Sequence, residues 1–138
     1  MKISKRHLTK AITWRFIGTI DTFILSLIIY SDFNISLSLS GITSATKILW
    51  YYLHERAWFK SSISNSTKRH IYKTFSWRGI GTLDTMLMSW LLTANPITSF
   101  QVGAIELITK MILYYWHEKI WYKSNFGLDQ ENSMPNRV

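Results

Sequence analysis

Residues 85–105 read TMLMSWLLTANPITSFQVGAI, twenty-one consecutive positions without one charged side chain. The stretch holds the end of one helical segment, a turn at Asn95-Pro96 and the start of the next. A soluble antiparallel bundle sets Lys and Glu along every outward face; this hairpin tip has none, so its surroundings are read as hydrocarbon rather than water. An earlier stretch, residues 22–46, has the same character, with Asp32 its one charge and Ser31-Asp32-Phe33-Asn34 its turn. Both turns are short enough to join antiparallel neighbours. Pro96 also ends the segment before it, because the residue preceding a proline is pushed out of the α region.

Extended outward from the two turns, the apolar segments occupy residues 11–31, 37–59, 74–94 and 100–122. Each is close to the roughly 20 residues needed to cross a hydrocarbon layer of about 30 Å. The first could pass for a signal peptide with a basic start, but it has no small-residue cleavage pattern and its copy sits in mid-chain.

That copy is part of a duplication. Shifted by 63 positions, residues 5–61 fall on residues 68–124 without a gap, with 23 identities in 57 positions. Trp14-Arg15, Gly18-Thr19 and Asp21-Thr22 return as Trp77-Arg78, Gly81-Thr82 and Asp84-Thr85; Thr46-Lys47, Tyr51-Tyr52 and His54-Glu55 return as Thr109-Lys110, Tyr114-Tyr115 and His117-Glu118. Each half is then one structural unit that is completed by its neighbour. The expected architecture is all-α: an integral membrane four-helix bundle of two tandem hairpins, residues 1–63 and 64–125, followed by a polar flexible tail over 126–138.

Charge placement sets the orientation. Of 16 Lys and Arg, all but Lys47 and Lys110 lie in or beside residues 2–15, 56–78 and 119–137, and the hairpin turns have none. Basic segments stay on the cytoplasmic side, so both termini and the middle linker are expected there, in a multi-pass protein of the inner membrane. Because each repeat crosses twice, the copies point the same way, as parallel repeats about an axis along the membrane normal. The tracts at Lys5-Arg6 and Lys68-Arg69 read as contacts to anionic lipid headgroups. The formal net charge of +8 is thereby referred to membrane lipids and not to nucleic acid.

Charges inside the apolar segments are the candidate site. Asp21 lies about 15 Å past Ala11 along the helix, and Lys47 about 18 Å before Phe59, so the two meet near mid-depth. Arg15 and Glu55 share a shallower level, and the repeat returns both sets as Asp84 with Lys110 and Arg78 with Glu118. An isolated charge at the bilayer centre costs at least about 2.5 kcal/mol, so such groups face the bundle interior and pair. The expected pairings run either within a repeat or crossed between repeats. They either fix helix register or line an ion, proton or anion path. Gly18, Thr22, Gly81 and Thr85 are small enough to let helices approach. Glu106 faces Thr43 across the shift and is the carboxylate that breaks the symmetry.

Other chemistry has less support. The chain has no Cys, which removes disulfides, thiolate metal sites and a thiol nucleophile together. No phosphate loop, nucleophile elbow or His pair four apart around a Glu is present, so no enzyme activity and no cofactor are expected. His54 and Glu55 with His117 and Glu118 form a non-thiolate set that a metal or haem would accept.

The pattern Lys-x-x-x-Trp-Arg-x-x-Gly-Thr-x-Asp-Thr at residues 10–22 and, with Ser76 before Trp77, at 73–85 is one half of a signature. Lys-x-x-x-Tyr-Tyr-x-His-Glu-x-x-Trp at 47–58 and 110–121 is the other. Together they resemble a family of bacterial membrane proteins classed as a domain of unknown function. Some relatives are associated with sulfate-activation enzymes, which implies a link to sulfur or anion uptake. Many hold a single copy, which implies that they dimerise where this chain is a fused pair. The resulting expectation is an accessory, assembly or scaffold subunit whose partners are lipids and a larger membrane complex or a second copy of itself. The alternatives are a small ion, proton or anion transport component and a metal- or haem-binding membrane protein.

Overall fold

The structure is a computed structural model that describes residues 5–126; the tail expected over 126–138 lies, beyond Phe126, outside the described residues. The chain forms four long helices, α1 (Lys5–Tyr30), α2 (Phe33–Phe59), α3 (Ser66–Thr93) and α4 (Pro96–Lys123). α1 packs on α2 and α3 on α4, while α2 packs on α3 and α4 returns to α1. Each helix thus touches two neighbours, and the four close into a ring.

Local chemistry sets the breaks between helices. Ser31, at φ 52°, closes α1 with its N–H on Leu27 O at 2.9 Å. Asp32 then caps α2, its side chain accepting the Ile35 N–H at 3.0 Å, which satisfies a donor that the first turn leaves free. The second turn repeats the plan: Ala94 is left-handed at φ 53°, Asn95 is extended and accepts from Thr98 N–H at 3.1 Å, and Pro96 opens α4. Proline suits that place because it lacks the N–H that would go unpaired there. Asn65 caps α3 after the connection at 60–65.

The far ends of the helices are tied differently. Arg69 Nη2 donates to Trp58 O at 2.7 Å, and Arg6 donates to Trp121 O at 2.6 Å, Ser124 O at 2.9 Å and Phe126 O at 2.7 Å. The start of each odd-numbered helix therefore caps the carbonyls at the end of the neighbouring even-numbered one. This is a use of Arg6 and Arg69 beyond the headgroup contact expected of them; Lys5 and Lys68 are exposed.

The interior is polar and the exterior apolar. Among the described residues the buried large apolar side chains are Leu39 and Val102, whereas Asp21, Thr22, Ser26, Ser36, Thr43 and their counterparts are buried around them. Phe16, Ile28, Phe75, Leu83, Leu91 and Ile97 are each more than 60% exposed, as are other large apolar residues around the ring. Water would make this arrangement unstable; a hydrocarbon solvent reverses the preference, since it costs nothing to leave Leu and Phe outside and several kcal/mol to leave an unpaired polar group there. Among the described residues, α1 is by length and mean hydropathy alone the one helix apolar enough to cross a membrane, at 1.6 over 18 residues. An average over a helix counts inward and outward faces alike, and Ser, Thr, Asp, Glu, Lys, Trp and Tyr lower it in α2, α3 and α4.

Candidate functional site

Burial follows the 63-residue shift position by position. The buried residues are 21 with 84, 22 with 85, 26 with 89, 36 with 99, 39 with 102, 40 with 103, 43 with 106 and 54 with 117. The two hairpins therefore present one face each to a shared interior, where the charged side chains meet.

Glu106 of α4, 3% exposed, is the centre. Its Oε1 accepts from Lys47 Nζ of α2 at 3.1 Å, from Thr22 Oγ1 of α1 at 3.0 Å, and from Lys110 Nζ one turn along its own helix. Lys47 also donates to Thr85 Oγ1 of α3 at 3.2 Å, and Lys110 to Thr22 Oγ1 at 2.9 Å. One carboxylate oxygen thus draws side chains from three helices, and the fourth joins through Lys47. Thr22 and Thr85 serve here as hydrogen-bonding groups more than as spacers.

Around this centre the two Asp residues are held unequally. Asp21 Oδ2 accepts from Thr109 Oγ1 at 3.0 Å and lies 3.5 Å from Lys110 Nζ. Asp84 accepts from Thr46 Oγ1 at 2.7 Å and Trp50 Nε1 at 3.1 Å. The acid–lysine contact is crossed between repeats at Asp21 with Lys110, while Lys47 turns to Glu106 in place of Asp21 or Asp84. The shallower pairs are made with other partners: Glu55 takes Lys73 at 2.6 Å and Glu118 takes Lys10 at 2.8 Å. Arg15 is exposed, and Arg78 lies over the Tyr114 ring at 5.3 Å. Lys10 and Lys73 stand just before the apolar segments, and their flexible stems carry their charge to the acids of the facing helix.

The histidines stand apart from this centre, on opposite sides of the ring. His54 Nε2 accepts the Trp58 indole N–H at 3.0 Å and meets Ser76 Oγ at 2.8 Å; His117 Nε2 accepts from Trp121 at 3.1 Å and meets Thr13 Oγ1 at 3.0 Å. An indole N–H only donates, so Nε2 is in each case an acceptor already in use. Among the described residues no group of three or more His, Asp or Glu could hold a metal ion; His54, Glu55, His117 and Glu118 do not gather into one. The glycines differ as well. A Cβ at Gly18 would meet Lys110 Cε at 3.5 Å and one at Gly81 nothing within 4 Å, whereas one at Gly103 would run into Met86. The tight packing is at Gly103, where Ser40 stands in the other repeat.

A family model described as a predicted membrane protein, DUF2061, matches the chain twice, over residues 8–59 and 71–122. The chain belongs to the DUF2061 family. Membership places it in a membrane, and the two matched segments fall on the two helical hairpins. Neither a curated protein nor a solved structure matches the chain. Each DUF2061 segment brings one Asp-Thr, one Thr-Lys and one His to the interior, and Glu106 is added by the second alone. Trp50, opposite Leu113, is a further difference between the DUF2061 segments. Lys10 with Lys73, Thr46 with Thr109, Ser26 with Ser89 and Ser36 with Ser99, to which the sequence alone assigned no place in the site, are identities under the same shift, and that identity is the signal for them.

Proposed function

We propose that this DUF2061 protein is a non-enzymatic, four-span protein of the inner membrane with its basic end in the cytoplasm, acting as an accessory, assembly or scaffold subunit. The observation that supports it is the destination of the buried charges. Lys47 reaches Glu106 and Lys110 reaches Asp21, each joining one repeat to the other, and Lys110 also holds Glu106 beside it. Ammonium groups neutralised in this way lock the hairpins together and leave the apolar exterior to meet lipid or a larger complex. A chain without Cys suits single-cysteine labelling: substitutions at Asn34 and Asn95 should react from outside intact cells, and one at Ser64 from the cytosol alone. The subunit reading expects no ion flux in proteoliposomes and co-purification with a larger membrane complex.

One observation favours a second reading, a small ion, proton or anion transport component. Glu106 Oε2 is buried without a hydrogen-bond partner among the described residues, and intramembrane acids often mark conducting paths. The flux assay separates the two: flux by the protein alone that is lost in Asp21→Asn, with folding retained, overturns the subunit reading.

A further inference from the structure

The last turns of α2 and the first turns of α3 enclose an open groove of ≈ 430 Å³, lined by Tyr52, Glu55, Arg56, Phe59, Arg69 and Lys73. It lies where the apolar exterior gives way to the basic end. The Glu55 carboxylate would repel an anion, but Lys73 contacts both of its oxygens, at 2.6 and 2.7 Å. That leaves two guanidinium groups. Arg69 uses Nη2 on Trp58 O and has donors to spare, and Arg56, exposed, makes no hydrogen bond, ion pair or ring contact among the described residues. Phe59, 86% exposed, and Tyr52, 59% exposed, flank them.

The other repeat shows what the same positions look like when their charges are occupied. There Arg6 spends Nη1 and Nη2 on three backbone carbonyls, Trp121, Ser124 and Phe126. Lys119, in the place of Arg56, lies over the rings of Tyr115 and Trp116 at 5.9 and 5.1 Å. Two similar sequences thus yield one site whose cationic groups are engaged and one in which Arg69 keeps donors to spare and Arg56 has no such partner among the described residues.

We propose that the α2–α3 groove binds one anionic phospholipid, its phosphate held by Arg56 and Arg69 and the start of an acyl chain lying against Phe59. Arginine suits this role because its planar fork matches phosphate oxygens, and aromatic residues favour the boundary between headgroups and tails. The site is asymmetric, with one strong lipid per chain and not two.

The proposal rests on the four-span reading, and the two can be refuted separately, since cysteine labelling tests the spans and lipid binding tests the groove. The full chain, purified in mild detergent, is titrated with a synthetic phosphatidylglycerol or with phosphatidylcholine of the same acyl chains, and bound lipid is counted by native mass spectrometry. One phosphatidylglycerol should be retained in preference to phosphatidylcholine. Arg56→Gln, which removes no hydrogen bond, ion pair or ring contact among the described residues, should weaken it about five-fold, and Lys119→Gln should leave it unchanged. Equal retention of both lipids, wild-type binding by Arg56→Gln, or an equal loss in Lys119→Gln would overturn the site. Displacement by millimolar inorganic phosphate would show a free anion, not a lipid, to be the ligand.

Discussion

Replacing Glu106 by Gln keeps the size and one acceptor of the side chain but removes the carboxylate that Lys47 and Lys110 share. The two lysines are not affected alike. Lys110 retains Asp21 at 3.5 Å, whereas the acid within ion-pair distance of Lys47 among the described residues is Glu106, at 3.1 Å. Lys47 would then be a part-buried ammonium, its side chain 18% exposed, with Thr85 and an amide oxygen for company. Breaking one side of a buried pair costs about 3 to 5 kcal/mol, and the retained acceptor points to the lower end, about a 150-fold loss in the folded-to-unfolded ratio. Reversible unfolding in mixed micelles with rising dodecyl sulfate, followed by tryptophan fluorescence, reads this directly. If the cost lies in the stranded ammonium, Lys47→Met added to Glu106→Gln should recover a measurable part of it, because the apolar stem remains and the charge is gone. A Glu106→Gln protein within about 0.5 kcal/mol of wild type, a difference ordinary for surface changes, or a double variant weaker than the single one, refutes the ionic centre as what holds the repeats together.

Three further outcomes follow from the same geometry. Arg6→Gln, which uncaps three carbonyls, should speed amide exchange at the adjoining helix end more than Arg69→Gln, which uncaps one, with stability losses of about 1.5 to 3 kcal/mol for the former; equal exchange in the two would count against capping. Ala94→Gly should stabilise the second turn by about 1 kcal/mol, since a left-handed residue with a Cβ carries that strain, and an unchanged or lower unfolding midpoint would contradict it. Trp50→Phe takes one of two donors from the buried Asp84 carboxyl and should cost about 1 to 3 kcal/mol, whereas Leu113→Ala, at the matching position of the other repeat, leaves the bonds of Asp21 intact; isotope-edited infrared bands of Asp84 should shift only in the first.

Much of this was legible in the sequence because a membrane bundle writes its fold in where charge is absent. The turns at Asp32 and Asn95-Pro96, the helix pairs and the common level of Asp21 with a lysine all follow from spacing and rise per residue. Direction around the helix axis does not: a level fixes height, and Asp21 at that height can face α2 or α4. Closure of the ring chose α4, so Lys110 became its neighbour and Lys47 went to Glu106. The pairing of Arg15 with Glu55 went astray for a second reason, side-chain reach. Lys10 and Lys73, nearer the helix starts, extend far enough to claim Glu118 and Glu55, and Arg78 settles over Tyr114 instead. Nothing in composition distinguished Arg6 and Arg69 as helix caps from Lys5 and Lys68 as exposed charges; the planar fork of arginine, which can grip several carbonyls at once, makes the difference in the folded chain.

The contact of α4 with α1 has a consequence for how such a chain can be cut. Arg6 grips the end of α4 as Arg69 grips the end of α2, so the junction between the last helix and the first is built like the one that residues 60–65 span covalently. The four described helices form a circle, joined covalently through residues 60–65 at one junction and by the hydrogen bonds of Arg6 at the other. A gene rearranged to begin near Ser66 and to run on from Ser124 into Lys5 through a short joint would encode the same circle, with the hairpin bearing Glu106 now first.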